Sequence, residues 1–344
     1  MSLHDDTLVA LRLAAEGVAA GRQVAMVTVL QTFGSAPRRP GSLWVVVDPG
    51  SPQPAMQGSV SGGCVEDDLL AWLADRCRVE DAGSVPKRRT YDGATHPGLP
   101  CGGTLEVLVE WPTDTTQLRP GIEAIDQRRV IWRTVDLYSG QVGWQPDPLP
   151  GNAVGAEAPC ERSGRLSVAF GPAWRLLLFG SGPVACHLAP QARALGFDVT
   201  VCDPRASVDT GLAGVSLDRR APEKVIAEAE VDARTAVVAI AHDPRIDDRA
   251  LMDALASPAF YIAAMGSRRT SEARRERLTG LGVDTSRLRA PAGLHIGSHT
   301  PAEIAVSIAA ELVAARNLAR RATAPGPAWS PQAVSAKTCL DRGP

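Results

Sequence analysis

The sequence predicts an α/β protein in which an N-terminal mixed α/β domain precedes a Rossmann-like domain with a doubly wound parallel sheet. Three observations carry this expectation. From about residue 173 strand-like and helix-like segments alternate, as βαβ units do. The first strand of that series runs into a G-x-G-x-x-A turn. A stretch rich in Pro, Gly and small residues, 146–172, separates the series from the first half, as linkers often do. The chain's 344 residues suit about two domains of ~100–200 residues each. The predicted organisation is a first domain over 1–145, a linker over 146–172, the Rossmann-like domain over 173–321 and a disordered tail over 322–344.

Taken in order, residues 4–20 read as a helix with Leu8, Leu11, Leu13 and Val18 on its apolar face. "VAMVTVLQTF" (24–33) and "SLWVVVD" (42–48) read as strands joined by "GSAPRRPG", which carries Arg38 and Arg39. "EDDLLAWLADRC" (66–77) reads as a helix whose first-turn acids suit the positive end of its dipole. "KRRTYD" (87–92) and "TLEVLVEW" (104–111) read as strands. In the second half, "RLLLFG", "DVTVCD", "TAVVAIA" and "FYIAAMG" are the strands of the alternating series, and "PAEIAVSIAAELVAARNLAR" is its closing helix. Pro190 falls inside the first of the intervening helices, where an interior proline predicts a kink.

The turn "FGSGPVA" sets Gly180 at the tight bend, Gly182 where backbone can approach a phosphate, and Ala185 where the helix meets the strand. Asp203 ends the next strand, where a ribose-binding acid belongs. Three loops, "CDPR", "HDPR" and "GSRR", each follow a strand and should lie at the carboxyl edge of the sheet, where ligands bind. Arg205, Arg245, Arg268 and Arg269 are therefore candidates for holding an anion. The alternative is that they pair with Asp203, Asp243 or Asp247. His242 is a candidate acid/base or simply a polar turn residue.

The first half poses a different question. "GSVSGGCVEDD" places Cys64 after Gly62 and Gly63, and "PGLPCGG" places Cys101 in a second glycine-flanked loop. A helix start favours thiolate, whereas Glu66, Asp67 and Asp68 oppose it if they face the sulfur. No histidine lies near Cys64 in sequence, which speaks against a Cys–His hydrolase. Three roles stay open for Cys64: ligation of a soft metal, carriage of a persulfide, or a small residue in a tight loop. Cys101 has the same bland alternative.

Composition excludes other classes. A net charge of −2 gives no footprint for nucleic acid or an anionic membrane. Seven irregularly spaced cysteines without a CxxC pair argue against a disulfide scaffold or structural zinc and for a reducing compartment. The start of the chain lacks the basic and apolar regions of a signal peptide, and its apolar runs fall short of the ~20 residues that span a bilayer. A cytoplasmic protein is expected.

In this order, "GSAPRRPG", "GSVSGGCVE", "LPCGGTLEVLVE", "LLLFGSGPVA", "VCDPR", "AHDPRID", "MGSRRT" and "GLHIGSHTPAEIAVSI" resemble the xanthine dehydrogenase accessory (XdhC/CoxI) family over about residues 8–318. The resemblance implies an accessory factor that binds molybdenum cofactor, protects its sulfurated form and promotes its insertion into xanthine dehydrogenase or a related molybdenum hydroxylase. A cysteine desulfurase is the implied class of sulfur donor, and a homodimer is the commonest oligomer. Carried over, Cys64 becomes the thiol facing molybdenum or its sulfido group, and Gly180 and Gly182 become the phosphate-approach glycines. At "GLHIG", His295 stands where the family commonly has an acid. If the two domains pack together, a crevice between them would meet both ends of the cofactor. The rival reading is an NAD(P)-dependent oxidoreductase, which explains the glycine turn but leaves the Cys64 loop without a role.

Overall fold

The computed structural model describes residues 3–34, 38–63, 65–78, 85–93, 103–146, 159–205, 212 and 215–322. Cys64, Cys101, residues 147–158 of the expected linker and the expected tail from 323 onward lie outside the described residues.

The first half is built around a five-stranded antiparallel sheet. Helix α1 (Leu3–Ala19) leads to β1 (Val24–Phe33), β2 (Leu43–Val47) and β3 (Ala55–Gly58). Helix α2 (Glu66–Arg78), β4 (Lys87–Asp92) and β5 (Thr104–Glu110) complete it, in the spatial order β3-β2-β1-β5-β4. β1 reads as an unbroken apolar run because both of its faces are covered. Val24 and Met26 pack with Ala10, Leu11 and Ala14 of α1, while Ala25, Val27 and Val29 pack with Leu69 and Leu73 of α2.

A 3₁₀ turn (Thr115–Gln117) and α3 (Arg119–Asp126) then lead into a second antiparallel sheet. Its strands are β6 (Ile131–Asp136), β7 (Val142–Pro146), β8 (Cys160–Arg162) and β9 (Arg165–Phe170), in the order β7-β6-β9-β8. This corrects the linker expectation for residues 160–170, which form two strands, β9 paired to β6 and β8 paired to β9. Leu166, Val168 and Phe170 alternate inward along β9 and join the core beneath α1. The period-2 pattern is present in "RLSVAF", but the Pro- and Gly-rich residues before it mask the signal. Arg133 of β6 and Glu110 of β5 form a buried ion pair at 2.9 Å that fastens the two sheets.

The second half holds six parallel strands. In chain order the elements are β10 (Trp174–Phe179), α4 (Pro183–Ala194), β11 (Phe197–Cys202), β12 (Ser216–Asp218), α5 (Pro222–Glu228), β13 (Thr235–Ala239), α6 (Pro244–Ala256), β14 (Tyr261–Ala264), α7 (Arg268–Gly280), β15 (Leu288–Arg289) and α8 (Pro301–Ala322). The spatial order β12-β11-β10-β13-β14-β15 is the 3-2-1-4-5-6 arrangement of the dinucleotide-binding fold. α4 and α8 cover one face; α5, α6 and α7 cover the other. α4 continues as one helix through Pro190. The halves meet where Arg128 pairs with Asp232 at 2.8 Å and Arg234 donates to the Pro172 carbonyl at 3.0 Å. Among the described residues no helix is long and apolar enough to cross a membrane.

Candidate functional site

The parallel sheet ends in loops that enclose a cleft of about 670 Å³, within the usual range for small-molecule sites. Its walls come from the start of α4 (Pro183, Val184), from His242 after β13, from the turn Met265–Arg268 after β14, and from segment 291–299 with the first turns of α8. Every lining residue belongs to the second half, so the expected crevice between the halves does not describe this cleft.

The two glycines of the turn differ in what they do. Gly180 has φ +116°, and a Cβ there would lie 2.6 Å from the Ala241 backbone nitrogen. The turn is therefore pressed onto the end of β13, and only glycine fits. Gly182 has an ordinary φ of −72° and stands at the N-cap of α4 without a side-chain cap. A Cβ there would meet nothing within 4 Å. Gly180→Ala is expected to destabilise the protein by about 2–4 kcal/mol, from positive-φ strain and backbone overlap. Gly182→Ser, which supplies a good N-cap, should stay within about 0.5 kcal/mol of the parent. Urea denaturation midpoints check both. Equal costs would contradict the separate roles.

Asp203 is buried and accepts five hydrogen bonds. Ser181 donates through its backbone nitrogen (3.0 Å) and its Oγ (2.9 Å), and Arg205 donates through its backbone nitrogen, Nε and Nη2 at 3.0–3.1 Å. Burial raises the Asp203 carboxyl, but these donors more than offset it and hold the group below the usual carboxylate range. The carboxylate where a ribose would dock is thus filled by the chain's own donors. The four candidate arginines divide accordingly. Arg205 pairs with Asp203 and reaches Asp243 at 3.7 Å. Arg245 pairs with Asp243 at 2.8 Å. Arg268 lines the cleft, and Arg269 follows it on the exposed start of α7.

Behind the cleft lies a buried ion pair. Asp247 accepts from the Ala241 backbone nitrogen (2.9 Å) and from Arg274 Nη2 (3.0 Å), while Arg274 also donates to the Met265 carbonyl (3.1 Å). These contacts fix the turns after β13 and β14. His242, in the turn after β13, takes a positive φ of 56°, a conformation in which non-glycine residues are uncommon and histidine is enriched.

In the first half, the loop around position 64 is organised by Glu66. Its Oε1 accepts from Ser59 Oγ (2.6 Å) and from the Val60 and Ser61 backbone nitrogens (3.0 and 2.9 Å). Its Oε2 accepts from Ser61 Oγ and from the Gly63 and Val65 backbone nitrogens (3.0 and 3.3 Å). Burial pushes this carboxyl up, yet the donors from Ser59, Ser61 and Val60 outweigh burial and bring it down from 4.5 to about 2. Glu66 is therefore a compensated charge. Gly62 and Gly63 take positive φ of 80° and 114°, and a Cβ on Gly63 would meet open space.

Sequence reasoning missed the hub role of Glu66, which it treated as a bare charge beside the thiol. It also assigned no site role to His295 and His299, which line the cleft. Two histidines four apart, directly before a Pro-initiated helix, were the available signal. Of the other cysteines, burial pushes the Cys202 thiol up to about 12, which keeps it protonated and unreactive.

A parallel sheet in this order, a glycine turn under a helix start and a cleft at the carboxyl edge define a Rossmann-type small-ligand-binding protein. The chain belongs to the XdhC and CoxI family: residues 18–88 match that family and residues 176–312 match the XdhC Rossmann domain. Among its relatives is the molybdenum cofactor insertion chaperone PaoD of Escherichia coli K12, 29% identical over 324 residues, with 91% of this chain and 90% of PaoD covered. Another, from Bacillus subtilis 168, is named as a probable subunit of xanthine dehydrogenase; it is 26% identical over 318 residues, covering 86% of this chain and 93% of that one. A crystal structure of a protein named as a xanthine dehydrogenase from Bacillus halodurans shares the fold, with a TM-score of 0.67 and 22% identity over 92% of this chain and 98% of that one.

Proposed function

We propose that this protein is a molybdenum cofactor-binding accessory factor that protects the sulfurated cofactor and promotes its insertion into xanthine dehydrogenase or a related molybdenum hydroxylase. The observation that carries the reading is similarity along 91% of the chain to a molybdenum cofactor insertion chaperone. The cofactor is cargo: a pterin with an anionic phosphate at one end and a soft metal at the other. The carboxyl-edge cleft supplies a site for the phosphorylated end. Residues 59–63 and 65, held by Glu66, flank Cys64 in the chain, and Cys64 is the proposed partner of the metal or its sulfido group. A cysteine desulfurase as sulfur donor, a cytoplasmic location and a homodimer belong to the same proposal.

The rival, an NAD(P)-dependent oxidoreductase, has the strand order in its favour. The five donors already on Asp203 count against it, since a ribose diol would have to displace them.

The test is purification under anaerobic conditions from a molybdenum-replete host, followed by transfer of the bound cofactor to a cofactor-free molybdenum hydroxylase. The protein should carry molybdenum and a pterin and should raise the activity of the recipient at least ten-fold over free cofactor. Cys64→Ala should lower retained molybdenum by a similar factor. A protein that carries neither pterin nor molybdenum and leaves the recipient inactive would overturn the proposal.

A further inference from the structure

The cleft is lined by seventeen residues, and none is a carboxylate or an aromatic ring of the Phe, Tyr or Trp kind. It presents one arginine (Arg268), three histidines (His242, His295, His299) and three serines between aliphatic walls. The chain as a whole carries 38 acidic residues in 344, so about two would be expected among seventeen. Their absence leaves the cleft with positive and neutral polar groups alone.

Arg268 differs from the other arginines of this edge. Arg205 and Arg245 are neutralised by Asp203 and Asp243. Further along α7, Arg274 and Arg277 pair with Asp247 and Asp248, and Arg275 donates to the Leu288 and Ala290 carbonyls. Among the described residues Arg268 pairs with no carboxylate.

The histidine-bearing wall is held at several points. Glu311 accepts from the Gly293 backbone nitrogen at 2.7 Å and from the Tyr261 hydroxyl at 2.7 Å. Ser307 Oγ donates to the Leu294 carbonyl at 2.5 Å. Glu303, on the first turn of α8, accepts from the His299 and Thr300 backbone nitrogens at 2.8 and 2.9 Å. The last contact occupies that acid outside the cleft lining. Segment 293–300 is therefore a built wall that presents His295 and His299 to the same cleft as the Met265–Arg268 turn.

We infer that this cleft binds a phosphomonoester through Arg268, His295 and His299, on the β14–α7–α8 side of the crevice. The inference rests on the reading of the chain as a carrier of a phosphorylated pterin. It moves the anion contact away from Asp203, Arg205 and Arg245, whose charges are spent on one another. A guanidinium without a carboxylate partner is well suited to a phosphate oxygen pair. Without a large aromatic ring to stack on, the phosphate rather than the ring system supplies most of the discrimination.

The test uses the full chain with two probes, neopterin monophosphate and neopterin. Calorimetry should show the phosphorylated probe binding at least ten-fold tighter, with the advantage shrinking as salt rises. Arg268→Gln, at an exposed position, should erase that advantage, and His295→Asn should reduce it. Arg165→Gln, which removes an equal charge far along the chain, should preserve it. Of the six histidines, the ring NMR signals of His242, His295 and His299 should move and that of His187 should not. Equal affinity for the two probes, or an advantage unchanged by Arg268→Gln, would overturn the inference. Normal cofactor transfer by Arg268→Gln would likewise overturn it and leave the chaperone reading standing. Phosphate discrimination by a protein unable to deliver cofactor would reject the chaperone reading alone.

Discussion

Asp247→Ala should cost about 2–4 kcal/mol, because it leaves Arg274 Nη2 and the Ala241 N–H, both buried, without the acceptor they share, with only Asp248 and the Met265 carbonyl remaining to the guanidinium. Both side chains are essentially inaccessible to solvent. Burial pushes the Asp247 carboxyl up, and the Ala241 N–H and Arg274 only partly counter it. The pair therefore adds little net stability, although removing one member is costly. Asp247→Asn keeps an acceptor for the Ala241 N–H and leaves Arg274 next to Asp248 at 3.3 Å, so its cost should be about 1 kcal/mol. Thermal unfolding should show a fall on the order of 10 °C for the alanine variant and a much smaller one for asparagine. Because Asp247 and Arg274 fix the turns after β13 and β14, alanine should also weaken binding in the cleft. Equal, small shifts for both variants would contradict this account.

Glu66→Gln should remove an acid-dependent part of the stability of the first half. The Glu66 carboxyl sits at about 2 instead of 4.5. A depressed carboxylate contributes its full stabilisation above the unfolded value and loses it as pH falls through the folded one. The window is thus about pH 4.5 down to about 2. The group is only half-buried, so solvent screening reduces the difference at neutral pH to about 1–2 kcal/mol. Stability measured by urea titration from neutral pH down into that window should fall more steeply in the parent than in the variant. Parallel curves would show that Glu66 does not govern the loop. The variant should also retain less cofactor, because both backbone neighbours of Cys64 donate to this carboxylate.

The sequence and structure agree where periodicity and chain order suffice. Between β10 and α8, the strands β10, β11, β13 and β14 were legible because each is a short apolar run, whereas β12 and β15, of three and two residues with a polar share, carry no such signal. β1 and β2 were legible for the same reason. β9 was hidden because "RLSVAF" follows a Pro- and Gly-rich stretch, and its inward residues acquire meaning only through pairing with β6. The site was partly legible. The glycine turn identified the carboxyl edge, but sequence cannot tell an arginine facing a ligand from one facing an aspartate two residues away, and Arg205 and Arg245 proved to be the latter. The role of Glu66 was invisible because six donors converge on it from a loop whose closure no local pattern announces.

Three of the sheet borders end in strands that resist further pairing. The parallel sheet closes with the three-residue β12 and the two-residue β15, too brief to template another chain. The five-stranded sheet ends on one side at β4, which opens with the charged run Lys87, Arg88 and Arg89. Arg88 is paired with Glu106 and Glu161 and Arg89 with Asp68, and an edge crowded with charged side chains of this kind blunts edge-to-edge aggregation. Strand addition by an incoming polypeptide is therefore disfavoured at these three borders.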